Sequence, residues 1–539
     1  MTSGLPSTGL PSTPTRAGEL SAAAATQWGD REFVRLGDSA ITFAQAHHWT
    51  DVIAAEMIAA GVTPGDRVMI FMVNRLEVLA ATLAAWRIGA IAAPVVAIYR
   101  RHELREIVSD LRPNAVFTAP TLADRDLPAE IDACLNGTGI APAIKFIVDE
   151  SDRHDHSWRV LPTVDAAADT KAGGADSALF ASDPSAECLR LYTSGSTSAP
   201  KGVKLSSTAV ILGGRQFYDR LGVDKEHVGL ALAPVAHIAG LLASCIVPLT
   251  CGARAVVLPK WNVEEAVAVI DRQKVTWSLG AAVFLKDLVE YYEAHSSDSL
   301  HVLQHFVSGG ANTDPDLIGR ADALGMWAAR TYGMTEAAGV IALAPKDATV
   351  ERRSRWDGLL AANARARIID DAGMELPPET EGRITVRGTQ ILSGYTDDAA
   401  NSTQFDDEGW FDTGDIGLIT SDNWMRVTGR TKDIINRGGE KFSAADIENV
   451  IHRHPAVAKA AVVGVPHERL GETVCAFVEL RGDQIYTDSE LRQFMESQDV
   501  ARAKIPTEWH FVPEIPTTAS GKIQKHVLRS QREHTVTLS

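Results

Sequence analysis

The sequence predicts an α/β protein. It reads as a large N-terminal domain with two sheets covered by helices plus a β-rich subdomain, followed by a small α+β C-terminal domain. Three observations predict this. Apolar strands alternate with helical stretches in two separate blocks, at 27–160 and 229–332. After Gly358 short strands with glycine and acidic turns take over. Beyond "TGRTKDIINRGGEKFS" the pattern shifts again, to short capped helices between strands.

In order, the chain opens with a tail at 1–25 that holds GLPST twice and is rich in Pro, Ser, Thr and Gly, a composition that reads as disordered. It has no apolar run long enough for the core of a signal peptide. The large domain spans 26–430. Its first block runs from the helix "FAQAHHWTDVIAAEMIAAG" through "DRVMIFM", "LEVLAATLAAWRIGA", "IAAPVVAI", "ELREIVSDLRP" and "AVFTA". The second repeats the rhythm in "AVVLP", "VEEAVAVIDRQKV", "TWSLGA", "VFLKDLVEYYEA" and "HVLQHFVSGGA". The apolar stretch 228–250 raises the question of a membrane span, but Pro234, His237, Gly240 and Pro248 interrupt it, and a buried strand, turn and helix fit better. The β-rich subdomain contains "ARARIID", "GRITVRG", "GWFDTGDIGLIT" and "WMRVTG". The small domain is expected at 431–539, with Ser443/Asp446 and Thr487/Glu490 as capping patterns that open two helices.

Bulk properties narrow the function. With 539 residues the chain is too long for one core. A formal net charge of −17 argues against a general nucleic-acid binder, which needs basic surface to replace counterions. Five scattered cysteines without a CxxC pair argue against a disulfide scaffold or a zinc site and fit a reducing cytoplasm.

The stretch "YTSGSTSAPKG" at 192–202 carries the first chemistry. Hydroxyls of Thr193, Ser194, Ser196, Thr197 and Ser198, the turn at Gly195 and the charge of Lys201 suit an anion-binding loop. Taken alone, its composition favours a surface linker over a phosphate-binding loop. It is not a Walker A loop, since Pro200 precedes the lysine and Gly202 follows it. Further along, "TYGMTE" offers Tyr332, Thr335 and Glu336; "FDTGD" places Asp415 after a glycine turn; "GRTKD" places Arg430 before the domain boundary; "PTTASGKIQK" presents Lys522.

These five stretches, in this order across 192–522, resemble the signatures of the adenylate-forming superfamily of acyl-CoA synthetases, carrier-loading adenylation domains and firefly luciferases. Ser198 departs from the pattern, where glycine is usual, and puts the fine shape of the loop in question. The resemblance implies that the 193–201 loop holds the β- and γ-phosphates of ATP. It implies that Gly309, Gly310 and Ala311 line the adenine slot with Tyr332 against the base, and that Thr335 meets the α-phosphate. Glu336 would hold Mg²⁺, Asp415 the ribose hydroxyls with help from Arg430, and Lys522 would bridge the attacking carboxylate and the α-phosphate. It further implies a mobile small domain that turns at Lys432, bringing Gly439 to a thiol tunnel and Lys441 to phosphates of CoA.

The expected activity is that of an ATP-dependent acyl-CoA synthetase acting on a medium-chain, branched, alicyclic or aromatic acid. Acyl-AMP and pyrophosphate form first, and the acyl group then passes to the CoA thiol. His237 of "APVAHIAG" resembles the family's histidine beside the acyl pocket, and an ordinary core histidine is the competing reading. No aspartate in "LAPVAHIAGL" awaits an α-amine, which disfavours an amino-acid substrate, while Ala236, Ala337, Ala338 and Gly339 point to a roomy apolar pocket. The alternatives are a ligase loading a carrier-protein thiol, a luciferase-like oxygenase, or a non-catalytic nucleotide module. The expected partners are the small carboxylic acid and CoA, with no nucleic acid and no transmembrane segment, in a monomer or homodimer. A lysine acetyltransferase acting on Lys522 is a further partner implied by the context of Pro516 and Gly521.

Overall fold

The computed structural model describes residues 15–148, 157–170, 183–193, 200–295, 303–310, 313–437, 440–482, 486–498, 500–518 and 523–537. The apolar strand Arg67–Met72 pairs in parallel with Ile91–Val96 on one side and Ala115–Thr118 on the other, and Ile144–Ile147 adds to the latter. Strands buried on both faces need continuous apolar sequence, and these have it. The helix between the first two, Leu76–Arg87, is buried almost all round. Arg101–Leu111 instead buries one stripe, Leu104, Ile107, Val108 and Leu111. Among the described residues this sheet has eight strands and ends in Glu187–Thr193, Lys201–Ser206 and Gly394–Tyr395.

Among the described residues the second sheet has thirteen strands. Its parallel part contains Arg254–Val257, Val228–Ala231, Trp277–Gly280, His305–Ser308 and the start of Trp327–Met334. The last of these is the join. Its first half pairs in parallel with His305–Ser308, and its second half pairs antiparallel with Gly339–Leu343. Through that strand the β-rich region of Gly358–Leu360, Ala364–Ile369, Gly382–Gly388, Phe411–Ile419 and Trp424–Arg430 continues the same sheet. Glu32–Leu36, from the first block, also joins this sheet, beside Arg254–Val257, a pairing no local pattern reveals.

The apolar stretch 228–250 resolves into Val228–Ala231 and a helical run through Ile238–Leu241, Leu242–Ile246 and Val247–Cys251, whose middle segment is a π-helix. Among the described residues no helix is long and apolar enough to cross a membrane. The N-terminus corrects one expectation. Residues 1–14 lie outside the described residues, but the tail does not extend to 25, because Leu20–Trp28 is a helix. Leu20, Ala24 and Trp28 recur every four residues and bury one stripe, a signal masked by the polar composition just before it.

Beyond Arg430 the three-residue turn Thr431–Asp433 leads into a separate five-stranded sheet built on Ile434–Arg437, Glu440–Ser443, Val457–His467, Gly471–Leu480 and Glu508–Phe511. Ala444–His452 and Asp488–Ser497 cover one face through Ile447, Ile451, Leu491 and Met495. Leu528 of Lys525–Thr537 covers the other with Ile515. Thr487 and Glu490 form the expected capping box. Ser443 does not, because its hydroxyl donates to Thr428 O at 2.8 Å, on the neighbouring sheet's last strand.

Candidate active site

Strands Glu187–Thr193 and Lys201–Ser206 are antiparallel, and Thr193 with Lys201 is their last pair. The hydroxyl-rich stretch is thus a hairpin connection inside one sheet, not a linker between units. Ser194, Gly195, Ser196, Thr197 and Ser198 themselves lie outside the described residues. Both ends of the loop are fixed. The Tyr192 hydroxyl donates to Asp110 Oδ2 at 2.6 Å, and burial, then the Asp110 charge, push the phenol's pKa well up. At the other end a Cβ on Gly202 would lie 2.8 Å from Thr396 Oγ1, so a side chain there would have to displace Thr396. The Lys201 ammonium sits 5.6 Å from the centre of the Tyr395 ring, an attractive cation–π contact.

Tyr395 connects this loop to the next motif. Its hydroxyl donates to Glu336 Oε1 at 2.9 Å. Burial and then the Glu336 charge hold the Tyr395 phenol protonated far above its usual range. Glu336 and Thr335 are both buried, in the tight turn Thr335–Ala337 that follows the joining strand. Ala338, with φ of 50°, ends that turn in the left-handed region, and Leu392 N donates to Glu336 O at 2.7 Å. Buried carboxylate oxygens are the hard donors Mg²⁺ requires, so the residues present fit that ion.

Four residues upstream, Tyr332 is also buried, and its hydroxyl donates to Asp415 Oδ2 at 2.7 Å. Asp415 and Arg430 are direct cross-strand partners, and Arg430 Nε lies 2.9 Å from Asp415 Oδ1. The Asp415 charge raises the Arg430 pKa, and burial, then Asp415, hold the Tyr332 phenol well above its usual value. A carboxylate has about four lone-pair sites, so Asp415 keeps acceptor capacity for a vicinal diol. Gly309 follows His305–Ser308 and lies beside Thr331; a Cβ there would come within 2.6 Å of Thr331 Cγ2. Gly310 has φ of 80°, and Ala311 lies outside the described residues.

His237 is half-buried and caps Ile238–Leu241, its Nδ1 accepting from Ala239 N at 3.2 Å. Ile238 approaches Gly339, just beyond the Glu336 turn. The small residues there serve close packing. A Cβ on Gly339 would lie 2.3 Å from Leu242 Cδ1, and one on Gly213 would lie 2.3 Å from Ala338 O. Ala338 and Gly339 therefore let two helical segments approach closely. Lys432 is exposed in the turn between the two sheets. Lys441 lies on Glu440–Ser443 with its side chain outside the described residues, as are Gly439 and Lys522.

Three residues escape sequence reasoning: Tyr395, Asp110 and Asp357. Asp357 pairs with buried Arg330 at 2.9 Å and accepts from Val427 N at 2.7 Å, tying the joining strand to Trp424–Arg430. Only the tyrosine in "SGYTDD" offered a local signal, a strand-edge aromatic next to glycine.

Two helix-covered sheets followed by a small α+β unit form the architecture of adenylate-forming enzymes. Residues 21–396 match the AMP-binding enzyme family and residues 446–522 its C-terminal domain. The chain belongs to that family and is an acid–thiol ligase. It is 30% identical over 490 residues to the medium-chain fatty-acid–CoA ligase of Escherichia coli K12, covering 90% of this chain and 85% of the relative. It is 28% identical to the indoleacetate–CoA ligase of Aromatoleum aromaticum, covering 92% and 94%. ATP-bound MatB from Rhodopseudomonas palustris superposes with a TM-score of 0.84 at 26% identity, over 96% of this chain and 99% of that one. The apo form of the same protein superposes less closely, at 0.73 over the same shares.

Proposed function

We propose that this enzyme activates an apolar monocarboxylic acid, medium-chain or aryl, as its adenylate and passes the acyl group to CoA. The observation that carries the reading is one strand and turn, 327–337, which sets Tyr332 with Asp415 on one side and Glu336 with Tyr395 and Lys201 on the other. That spacing suits a ribose diol at Asp415 and a triphosphate running towards the hairpin loop.

In the first step a carboxylate oxygen of the acid attacks the α-phosphorus of ATP. An O–P bond forms, the bond to the β-phosphate oxygen breaks and pyrophosphate leaves. Attack of an anion on an anion needs positive charge, which Lys201 and Lys522 supply. Glu336 would hold Mg²⁺, which offsets the charge gathering on the phosphates. Asp415, braced by Tyr332 and Arg430, fixes the nucleoside so that the attack is in line. In the second step the CoA thiol attacks the carbonyl, AMP leaves and the thiol proton passes to solvent. Rotation at Lys432 separates the steps by withdrawing Lys522 and presenting the segment of Gly439 and Lys441.

The relatives' names support the substrate class, a medium-chain fatty acid in one case and indoleacetate in the other. Close packing occupies the space around Gly339, so Ala236 and Ala337, both buried, remain the small residues proposed to face the acyl group. Five buried, free cysteines suit a reducing cytoplasm. The test is to incubate the enzyme with ATP, Mg²⁺, CoA and a panel of acids, with mass-spectrometric detection of acyl-CoA and AMP. ADP as the nucleotide product, or acyl transfer only to a carrier-protein thiol, would reject the reading.

A further inference from the structure

We propose that Lys286 and Glu290 are positioning residues that hold the small domain in the orientation used for adenylate formation. The inference rests on the two-step reading above. Both residues stand on Ala282–His295, one helical turn apart and therefore on one face. The helix belongs to the large domain, burying Phe284, Leu285, Leu288, Val289 and Tyr292 inward.

From that face two polar contacts cross to the small domain. Lys286 Nζ donates to Ala458 O at 3.0 Å, at the start of Val457–His467. Glu290 Oε1 accepts from both Arg481 Nη1 and Nη2, each at 3.1 Å. Arg481 is rigidly presented: its backbone N donates to Ala456 O at 2.8 Å and its Nε to Val457 O at 3.2 Å. The helix is braced too. Trp261 Nε1 donates to Asp287 Oδ2 at 2.8 Å, and Arg320 grips Glu293 with two nitrogens. Two rigid bodies thus meet through a lysine and a glutamate whose contacts persist only while the small domain keeps this orientation.

The two contacts differ in weight. Lys286 is half-buried, and burial lowers its pKa, so its ammonium depends on the Ala458 carbonyl in place of water. The Glu290–Arg481 pair is more exposed and screened. Rotation about Lys432 breaks both. ATP-bound MatB superposes more closely than its apo form, which supports assigning the observed orientation to the ATP half-reaction. Contacts confined to one of two states bias their populations without touching the chemistry in either.

The two half-reactions are measured separately in the full-length enzyme: acid-dependent ATP–pyrophosphate exchange, and acyl-CoA formation from a synthetic acyl-adenylate. In Lys286→Met the ratio of the second rate to the first rises about tenfold, the size of a lost charge-assisted hydrogen bond. In Glu290→Gln it rises about threefold. Lys286→Arg, which keeps a charged donor, holds the ratio within about twofold of the wild type. The proposal is overturned by an unchanged ratio in Lys286→Met, or by both rates falling in proportion, as a merely structural role requires. Absence of acid-dependent exchange in the wild type would instead reject the two-step reading itself.

Discussion

The Tyr395 hydroxyl donates to Glu336 Oε1 at 2.9 Å, joining a two-residue strand at the sheet edge to the buried turn after the joining strand. The contact orients the Glu336 carboxylate, and the same ring carries Lys201 on its face. Tyr395→Phe keeps the ring and removes the donor. The Mg²⁺ concentration giving half-maximal pyrophosphate exchange should rise about tenfold, the usual cost of losing a partner that orients a metal ligand. A Mg²⁺ titration of exchange checks this, and an unchanged midpoint would separate Tyr395 from metal binding.

Asp415 should govern recognition of the ribose. In Asp415→Ala the KM for ATP should rise at least about tenfold, and the preference for ATP over 3′-deoxy-ATP should vanish. Tyr332→Phe removes a hydroxyl donor to Asp415 and should cost about 1 kcal/mol of stability while preserving that preference. Steady-state kinetics with the two nucleotides and a urea melt decide both points.

Gly213 lies on Ser207–Leu221 against the carbonyl of Ala338. A methyl at 2.3 Å from that oxygen must push the helix away from the Glu336 turn. Gly213→Ala should destabilise by about 1–3 kcal/mol and lower exchange as well. Equal stability to the wild type in a denaturant titration would show that the helix moves freely.

Burial, with positive charge from His227 and Lys346, pushes the His305 pKa down to about 4. The unfolded value is about 6.5, so between those two pH values the unfolded chain binds more protons. Stability is therefore fully present above about pH 6.5 and declines as pH falls towards 4. His305→Phe should flatten part of that slope. Urea midpoints at about pH 5 and about pH 7.5 compare the two proteins, and an unaltered pH difference would exclude His305 as a source.

Lys432 occupies the exposed turn between the two sheets. Lys432→Pro fixes φ and removes the freedom a hinge needs. Exchange should persist near the wild-type rate while acyl-CoA formation falls by at least about tenfold. Equal loss of both rates would reject the hinge.

Much of the candidate site is legible because its residues come in short motifs, each tied to one strand end. Thr335 and Glu336 follow the joining strand, and Thr193 and Lys201 close a hairpin. What the sequence hid is whatever depends on distant partners. Tyr395 reaches back 59 positions to Glu336, and Tyr192 reaches back 82 to Asp110. Ser443 looked like a helix cap, yet a carbonyl from the adjacent sheet, Thr428 O, takes its hydroxyl. The helix at Leu20–Trp28 was masked by polar neighbours, although its buried stripe has ordinary helical spacing. Small residues at 338 and 339 read as room for a substrate because their packing partners, Gly213 and Leu242, lie on other elements.

The most direct test of the central claim is ATP–pyrophosphate exchange by the wild-type enzyme across a panel of carboxylic acids, without and with CoA. Exchange should require an acid, be strongest with apolar medium-chain or aryl acids, and be abolished in Lys522→Ala. Adding CoA should yield AMP and the acyl-CoA in equal amounts. Exchange indifferent to the acid, or undiminished in Lys522→Ala, would contradict the account.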